Sequence, residues 1–157
     1  MTSLRTTPRG VERYEPTEIE PRWQAHWAEI GLYKTDLDDV SKPKYYVLTM
    51  YDYPSGDLHI GHWFVKTPTD VIARYHRLKG EKVFFLTGVD QHGQKVQQSA
   101  EKAGVAPQQF VDKITAKFIA LWEKLEVRYD IWAATTDPVH KKCVQGMLQR
   151  LFDEGQI

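Results

Sequence analysis

The stretch "KYYVLTMYDYPSGDLHIGHWFVKTPTDVIARYHRLKGEKVFFLTGVDQHG", Lys44 to Gly93, decides the fold. Lys44–Met50 is rich in β-branched and aromatic residues without clean alternation, the pattern of a strand buried on both faces. Pro54, Ser55 and Gly56 then turn the chain. From Ile60 onward, Trp63, Phe64, Thr67, Val71, Tyr75 and Leu78 draw an apolar stripe of helical period, which Gly80 closes. Lys82–Gly88 reads as a second strand of the buried kind. Strand, helix, strand over this distance is a βαβ unit, so an α/β fold with a parallel sheet and a right-handed crossover is expected.

The flanks extend this frame with helices. Met1 to about Arg13 is polar and reads as a flexible tail. "PTEIEPRWQAHWAEIG" follows, with Thr17 and Glu20 spaced as a capping box and Ile19, Trp23, Trp27 and Ile30 at helical spacing. Pro21 falls in the first turn, where it is tolerated. "DLDDVSKPK" is a polar linker into the first strand. Beyond Gly93, a helix is expected from about Gln94 to Lys102, ended by Gly104. Pro107 opens a longer one with an inner face of Phe110, Ile114, Phe118, Leu121 and Leu125. "VRYDIWAATTD" reads as an extended link with room for a short strand. Asp137 and Pro138 look like an N-cap and first helical residue, ahead of a stripe of Val144, Met147, Leu148, Leu151 and Phe152 that Gly155 ends.

Composition narrows the function classes. The chain has 157 residues, 41% apolar and 12% aromatic, enough for one domain with a real core. Lys+Arg and Asp+Glu both number 21, so no global basic charge advertises a grip on nucleic acid. The single cysteine, Cys143, excludes an intrachain disulfide and a multi-cysteine zinc site, and fits a reducing cytoplasm. It reads as a buried free thiol rather than a nucleophile. No apolar run approaches the roughly 20 residues of a membrane span, so no membrane partner is expected. No GxGxxG or GxxxxGK[ST] occurs, which removes two usual phosphate-binding signatures. Trp23, Trp27, Trp122 and Trp132 read as core or packing residues.

His59 and His62 are the first candidates for chemistry. They lie between the C-terminal end of the first strand and the first turn of its crossover helix, the edge where open α/β sheets bind ligands. A helix N-terminus offers free N–H groups and partial positive charge, which suits phosphate. Gly61 between them leaves room for a flat ring against the backbone. A metal reading would recruit Asp57, Asp90 and His92, because a catalytic zinc site usually wants three well-placed protein ligands. The bland reading is two solvated histidines. The strand-to-helix setting after the turn favours a ligand. "GVDQHGQK" makes a matching offer at the end of the second strand, where Asp90 could hold an ammonium or simply cap the next helix. Gly88 and Gly93 there leave room for close backbone approach. An anion site beside a cation site describes ATP next to an amino acid.

These residues carry a family resemblance. "HIGH" at His59–His62, after a hydrophobic strand and "YPSGDL", and joined by "GVDQHGQK", resembles the signature of class I aminoacyl-tRNA synthetases of the methionyl/leucyl subgroup. The resemblance covers about Tyr14 to Ile157. It is leucyl-like up to about residue 63, in "YEPTEIEPRWQAHW" and "KPKYYVLTMYDYPSGDLHIGHW". It is methionyl-like after about residue 73, in "ARYHRLKGEKVFFLTGVDQHGQKVQQSAEKAG" and "TTDPVHKKCVQGMLQRLFDEGQI". Methionyl enzymes usually show Thr where this chain has Val89. Leucyl ones usually carry "DAFG" where it reads "DQHG", and Pro where it has Asp52.

The resemblance implies a Rossmann-like catalytic domain and a two-step reaction. An amino-acid carboxylate attacks the α-phosphate of Mg2+-bound ATP, and the acyl group then passes to tRNA. It implies that His59 and His62 are the catalytic pair that contacts ATP phosphates, with Gly61 under the adenine. Asp90 would hold the α-ammonium, Met50, Tyr51 and Tyr53 would line the amino-acid pocket, and His92 and Gly93 would stand behind them. Methionine and leucine are both candidate substrates, since apolar contacts separate them by only about 1–3 kcal/mol. No KMSKS-type lysine loop, zinc-binding insertion or anticodon-binding region is recognisable. The chain therefore reads as residues 14–157 of an N-terminal half-domain: a fragment, a split-gene product or a decayed copy. A complementary synthetase half or chain is a further candidate partner, and an inactive nucleotide-binding or interaction module is the alternative of another class.

Overall fold

The computed structural model describes residues 14–157, so the expected tail at 1–13 lies outside the described residues. The chain forms two compact units, the first ending at Lys34 and the second spanning Thr35–Ile157.

The first unit contains helix α1, Pro16–Glu29. The predicted capping box of Thr17 and Glu20 does not form. The N-cap is Glu15, without a side-chain cap, and Pro16 opens the helix in the position its fixed φ suits. Glu18 and Ile19 N–H groups bond the Glu15 carbonyl at 3.1 Å each, and Glu20 instead accepts from the Tyr14 hydroxyl at 3.1 Å. Trp23, Trp27 and Tyr33 pack in sequence, with ring centroids 6.2 and 6.4 Å apart. No residue of α1 is buried, so the two tryptophans pack on each other rather than in a core. Gly31, at φ +63°, ends the run.

The second unit is the α/β body. Strands β1 (Lys44–Leu48), β2 (Lys82–Val89) and β3 (Ile131–Ala134) form one parallel sheet in the order β1-β2-β3. Helix α2 (Ile60–Leu78) makes the β1–β2 crossover, while α3 (Gln94–Ala103) and α4 (Pro107–Lys124) make the second. Helix α5 (Pro138–Asp153) follows β3. One face of the sheet carries the core: Val47, Val83, Phe85 and Val89 meet Ala73 of α2 and Ile114, Phe118 and Trp122 of α4. The predicted inner face of α4 is borne out, with Phe110, Leu121 and Leu125 packed around that cluster.

Three expectations need correcting. Strand β1 is not buried on both faces: Tyr46 and Leu48 are 55% and 66% exposed, and Tyr46 stacks on Phe84 across the open face at 5.6 Å. Its tail differs too, because Thr49 and Met50 leave the ladder and bond to α2 instead.

Helix α2 is turned opposite to its apolar stripe. Ile60, Phe64, Val71, Tyr75 and Leu78 are exposed, and the buried positions are Lys66, Asp70 and Ala73. Long-range pairing explains this. Asp70 accepts from Arg74 Nε at 2.6 Å and from Arg128 N at 2.9 Å. Arg77 Nη2 reaches Asp130 Oδ2 at 2.8 Å, and that oxygen also accepts from Phe85 N of β2 at 2.8 Å. Charge-assisted bonds in a desolvated setting outrank an apolar face that has nothing to cover it.

Helix α5 likewise buries none of its residues, and Cys143 on it is exposed rather than buried. Asp137 is its N-cap as expected. Its carboxylate accepts from Ala134 N at 2.8 Å rather than from the helix. Among the described residues, no helix is long and apolar enough to cross a membrane.

Candidate active site

The three parallel strands point their C-terminal ends to one edge, and the loops leaving that edge carry the candidate residues. After β1 the backbone rejoins the sheet at Asp52, which bridges to Val89. Asp52 N donates to the Gly88 carbonyl at 3.1 Å, and Asp90 N donates to the Asp52 carbonyl at 2.9 Å. These bonds hold the loop leading to His59 beside the loop carrying Asp90.

His59 is the N-cap of α2, with φ −141° and ψ 172°. Its Nδ1 accepts from Gly61 N at 3.2 Å, and its own N–H donates to His62 Nδ1 at 3.0 Å. This is a capping box built from imidazoles, a variant of the usual Ser/Thr–Glu pair. It fixes the tautomers. A ring nitrogen that accepts a backbone N–H carries no proton, so each neutral ring keeps its proton on Nε2. The two ring centroids lie 3.9 Å apart, and the His62 and Phe118 rings form a T-shaped contact with centroids 4.9 Å apart. Burial, and next the neighbouring His59, push the His62 pKa below its ordinary value, which disfavours the charged ring.

Gly61 has a geometric reason. A Cβ there would stand 2.9 Å from His59 Cε1 and 3.0 Å from its Nδ1. The flat ring packed on this glycine is therefore the protein's own histidine. Gly88 has a different reason from the one read in sequence: a side chain there would strike the Ala133 carbonyl of β3. The space is used for strand contact. Gly93, at φ +116°, is the N-cap of α3, and the Tyr53 hydroxyl fills the place of its absent side chain.

Asp90 is exposed and does not cap α3. Its carboxylate faces the Thr135 hydroxyl at 3.4 Å, a long contact that leaves it able to accept a stronger donor. His92 Nε2 donates to the Thr135 carbonyl at 3.2 Å, and His140 Nδ1 donates to the same oxygen at 3.0 Å. Between them Gln91 is buried, its backbone N–H donating to Thr135 Oγ1 at 2.8 Å and its side-chain Nε2 donating to Thr115 Oγ1 at 2.8 Å. Met50 presents its side chain to solvent. Tyr51 is half-buried, and burial pushes its phenol above the usual value, with Tyr46 and Asp137 adding to the effect. Asp57 is engaged by Lys117 at 2.6 Å. Among the described residues, no group of three or more His, Cys, Asp or Glu side chains lies close enough to hold a metal ion.

Two residues at this edge escaped the sequence reading. Lys66 is fully buried on α2, and its Nζ lies 3.1 Å from Asp52 Oδ2. Desolvation drives the two pKa values toward neutrality, lowering Lys66 and raising Asp52, while their mutual attraction opposes this. A lysine within a helix facing solvent is the ordinary expectation, and the only available signal was an acidic residue in the preceding turn.

Comparison with known proteins now bears on this geometry. The family profile "tRNA synthetases class I (M)" matches residues 45–157. A leucine–tRNA ligase of Rubrobacter xylanophilus is 41% identical over 90% of this chain and 18% of its own length. A methionine–tRNA ligase of Halalkalibacterium halodurans is 46% identical over 72% of this chain and 17% of its own. A leucyl-tRNA synthetase of Agrobacterium radiobacter, solved with tRNA and LeuAMS, superposes with a TM-score of 0.81 at 28% identity, over 91% of this chain and 19% of that one. Mycobacterium tuberculosis methionyl-tRNA synthetase in complex with methionyl-adenylate superposes at 0.69 with 36% identity, over 72% and 22%. The chain thus spans about a fifth of these relatives. Over that span the parallel sheet and the matched profile agree, and the chain belongs to the class I aminoacyl-tRNA synthetases.

Proposed function

We propose that residues 14–157 form the N-terminal half of a class I catalytic domain of the methionine–tRNA ligase type, binding ATP and an amino acid for adenylate formation. The leucine–tRNA ligase type is the alternative, favoured by the wider coverage of the leucyl relative. The observation that carries the reading is the double-histidine cap. It leaves two Nε2–H donors and a helix N-terminus at the C-terminal edge of a parallel sheet.

In this reading His59 and His62 donate to phosphate oxygens as negative charge is redistributed, so catalysis is positioning plus charge stabilisation. Asp90 pairs with the amino acid's ammonium, and Met50, Tyr51 and Tyr53 shape its side-chain pocket. His92 and Gly93 sit behind, one tied to Thr135 and the other under Tyr53. The substrate carboxylate attacks the α-phosphorus, the bond to the bridging oxygen breaks, and pyrophosphate leaves. Mg2+ bound to the nucleotide would neutralise phosphate charge. Placing adenine over Gly61 requires the His59 ring to swing away from that glycine. The partners are ATP, methionine or leucine, tRNA and a complementary synthetase half, and the setting is the cytoplasm.

The test is amino-acid-dependent pyrophosphate–ATP exchange, run with methionine and leucine separately. Exchange that is lost in His62→Ala or Asp90→Ala supports the enzyme reading. A second reading is a nucleotide-binding module without turnover. It is supported by ATP binding without exchange. Neither binding nor exchange overturns both.

A further inference from the structure

Helix α2 buries an ammonium completely. Lys66 is 0% exposed; its Nζ donates to Thr49 Oγ1 and to the Met50 carbonyl, each at 3.0 Å, and forms an ion pair with Asp52 Oδ2 at 3.1 Å. The Trp122 ring of α4 lies 5.9 Å from the same nitrogen. All three acceptors belong to one short segment between β1 and the double-histidine turn. Thr49 and Met50 have left the β1–β2 ladder before Asp52 rejoins β2, and the Lys66 nitrogen holds them across that gap.

Desolvating a cation this fully is costly, and it persists only with its partners in place. The arrangement also reaches His62. The charged and titratable groups around that ring are His59, Asp52 and Lys66, while Phe118 from α4 packs against it in a T-shaped contact. One nitrogen thereby joins the segment bearing Met50, Tyr51 and Tyr53 to the helix bearing His59 and His62. We propose that Lys66 is a positioning residue which, through Asp52, the Thr49 hydroxyl and the Met50 carbonyl, sets the amino-acid side of the site against its anion side. Its ligand consequences rest on the function proposed above; its effect on His62 does not.

The test uses the full chain as wild type, Lys66→Met, Asp52→Asn and the double variant. Histidine-ring NMR titrations report His62. The midpoint rises in K66M, where a cation is lost and the carboxylate stays, and falls in D52N, where the reverse holds. The double variant returns toward wild type. A residue that merely fills space gives no such opposition of sign. Calorimetry with ATP and with the sulfamoyl analogues of methionyl- and leucyl-adenylate reports the site. K66M weakens the analogue, which spans both sides, by up to about 100-fold, the scale of an ångström-level misplacement, and weakens ATP less. Wild-type affinity in K66M, or His62 midpoints that move together in both single variants, overturns the proposal. If K66M does not fold, a D52N midpoint that fails to fall does so. If wild type binds none of the probes, the ligand reading fails and the His62 titrations alone decide the role of Lys66.

Discussion

The two faces of helix α2 are inverted relative to a standard amphipathic helix. Inward lie Lys66, Asp70 and Arg74, paired with Asp52, Arg128 and the Glu126 carbonyl. Outward lie Phe64, Val71, Tyr75 and Leu78, the last 89% exposed. One face is held by a few directional bonds that each need a particular partner. The other is apolar surface that makes no demand on neighbours within the described chain. The lesson is that periodicity identifies a face but not the side on which it is buried. Where charged partners converge from loops distant in sequence, they set the rotation of the helix.

If the inner face carries the stability, its substitutions should dominate. Lys66→Ala strands the Asp52 carboxylate in the core and should cost about 3–5 kcal/mol, read as a drop in the urea midpoint at unchanged slope. Pairing the change with Asp52→Asn should recover much of that loss. Asp70→Ala removes the acceptor of Arg128 N–H and of Arg74 Nε and should cost about 1.5–3 kcal/mol, with Asp70→Asn milder.

A smaller effect comes from the end of the same helix. The His62 pKa is depressed in the fold, so the unfolded chain binds the proton more readily there. Stability should be unaffected above pH 6.5 and fall as pH drops below it through the depressed value. His62→Gln should flatten that part of the stability–pH curve. The outer face should give the least: Phe64→Ser or Leu78→Gln should change stability by within about 0.5 kcal/mol, while lowering self-association in sedimentation runs. A loss as large as that of Lys66→Ala would mean the outer face is covered in solution, and the contrast would fail.

Much of the α/β frame was legible because its signals are local. Pro54–Gly56, Gly80 and Gly104 punctuate the chain, and the strand and helix periods between them are clear. The edge where His59, His62 and Asp90 emerge followed from parallel topology alone. The rotation of α2 was not legible, since Asp70–Arg128 and Arg77–Asp130 are separated by more than fifty residues of chain. The exposed face of β1 was missed because an uncovered apolar strand looks in sequence like a buried one. The cap at α2 was missed because imidazoles are not among the usual capping side chains. Lys66 was hidden for a related reason: only the fold brings Thr49, Met50 and Asp52 to one nitrogen.

Under the function proposed above, the double-histidine cap would have a consequence for turnover. Because both Nδ1 atoms accept backbone protons, the pair offers donors without net charge. Two cations at that place would hold a polyphosphate more tightly and release it more slowly. Neutral imidazoles, backed by a helix terminus, bring an anion into register while leaving its departure cheap. A site whose leaving group is itself a polyanion gains in exit rate what it gives up in grip.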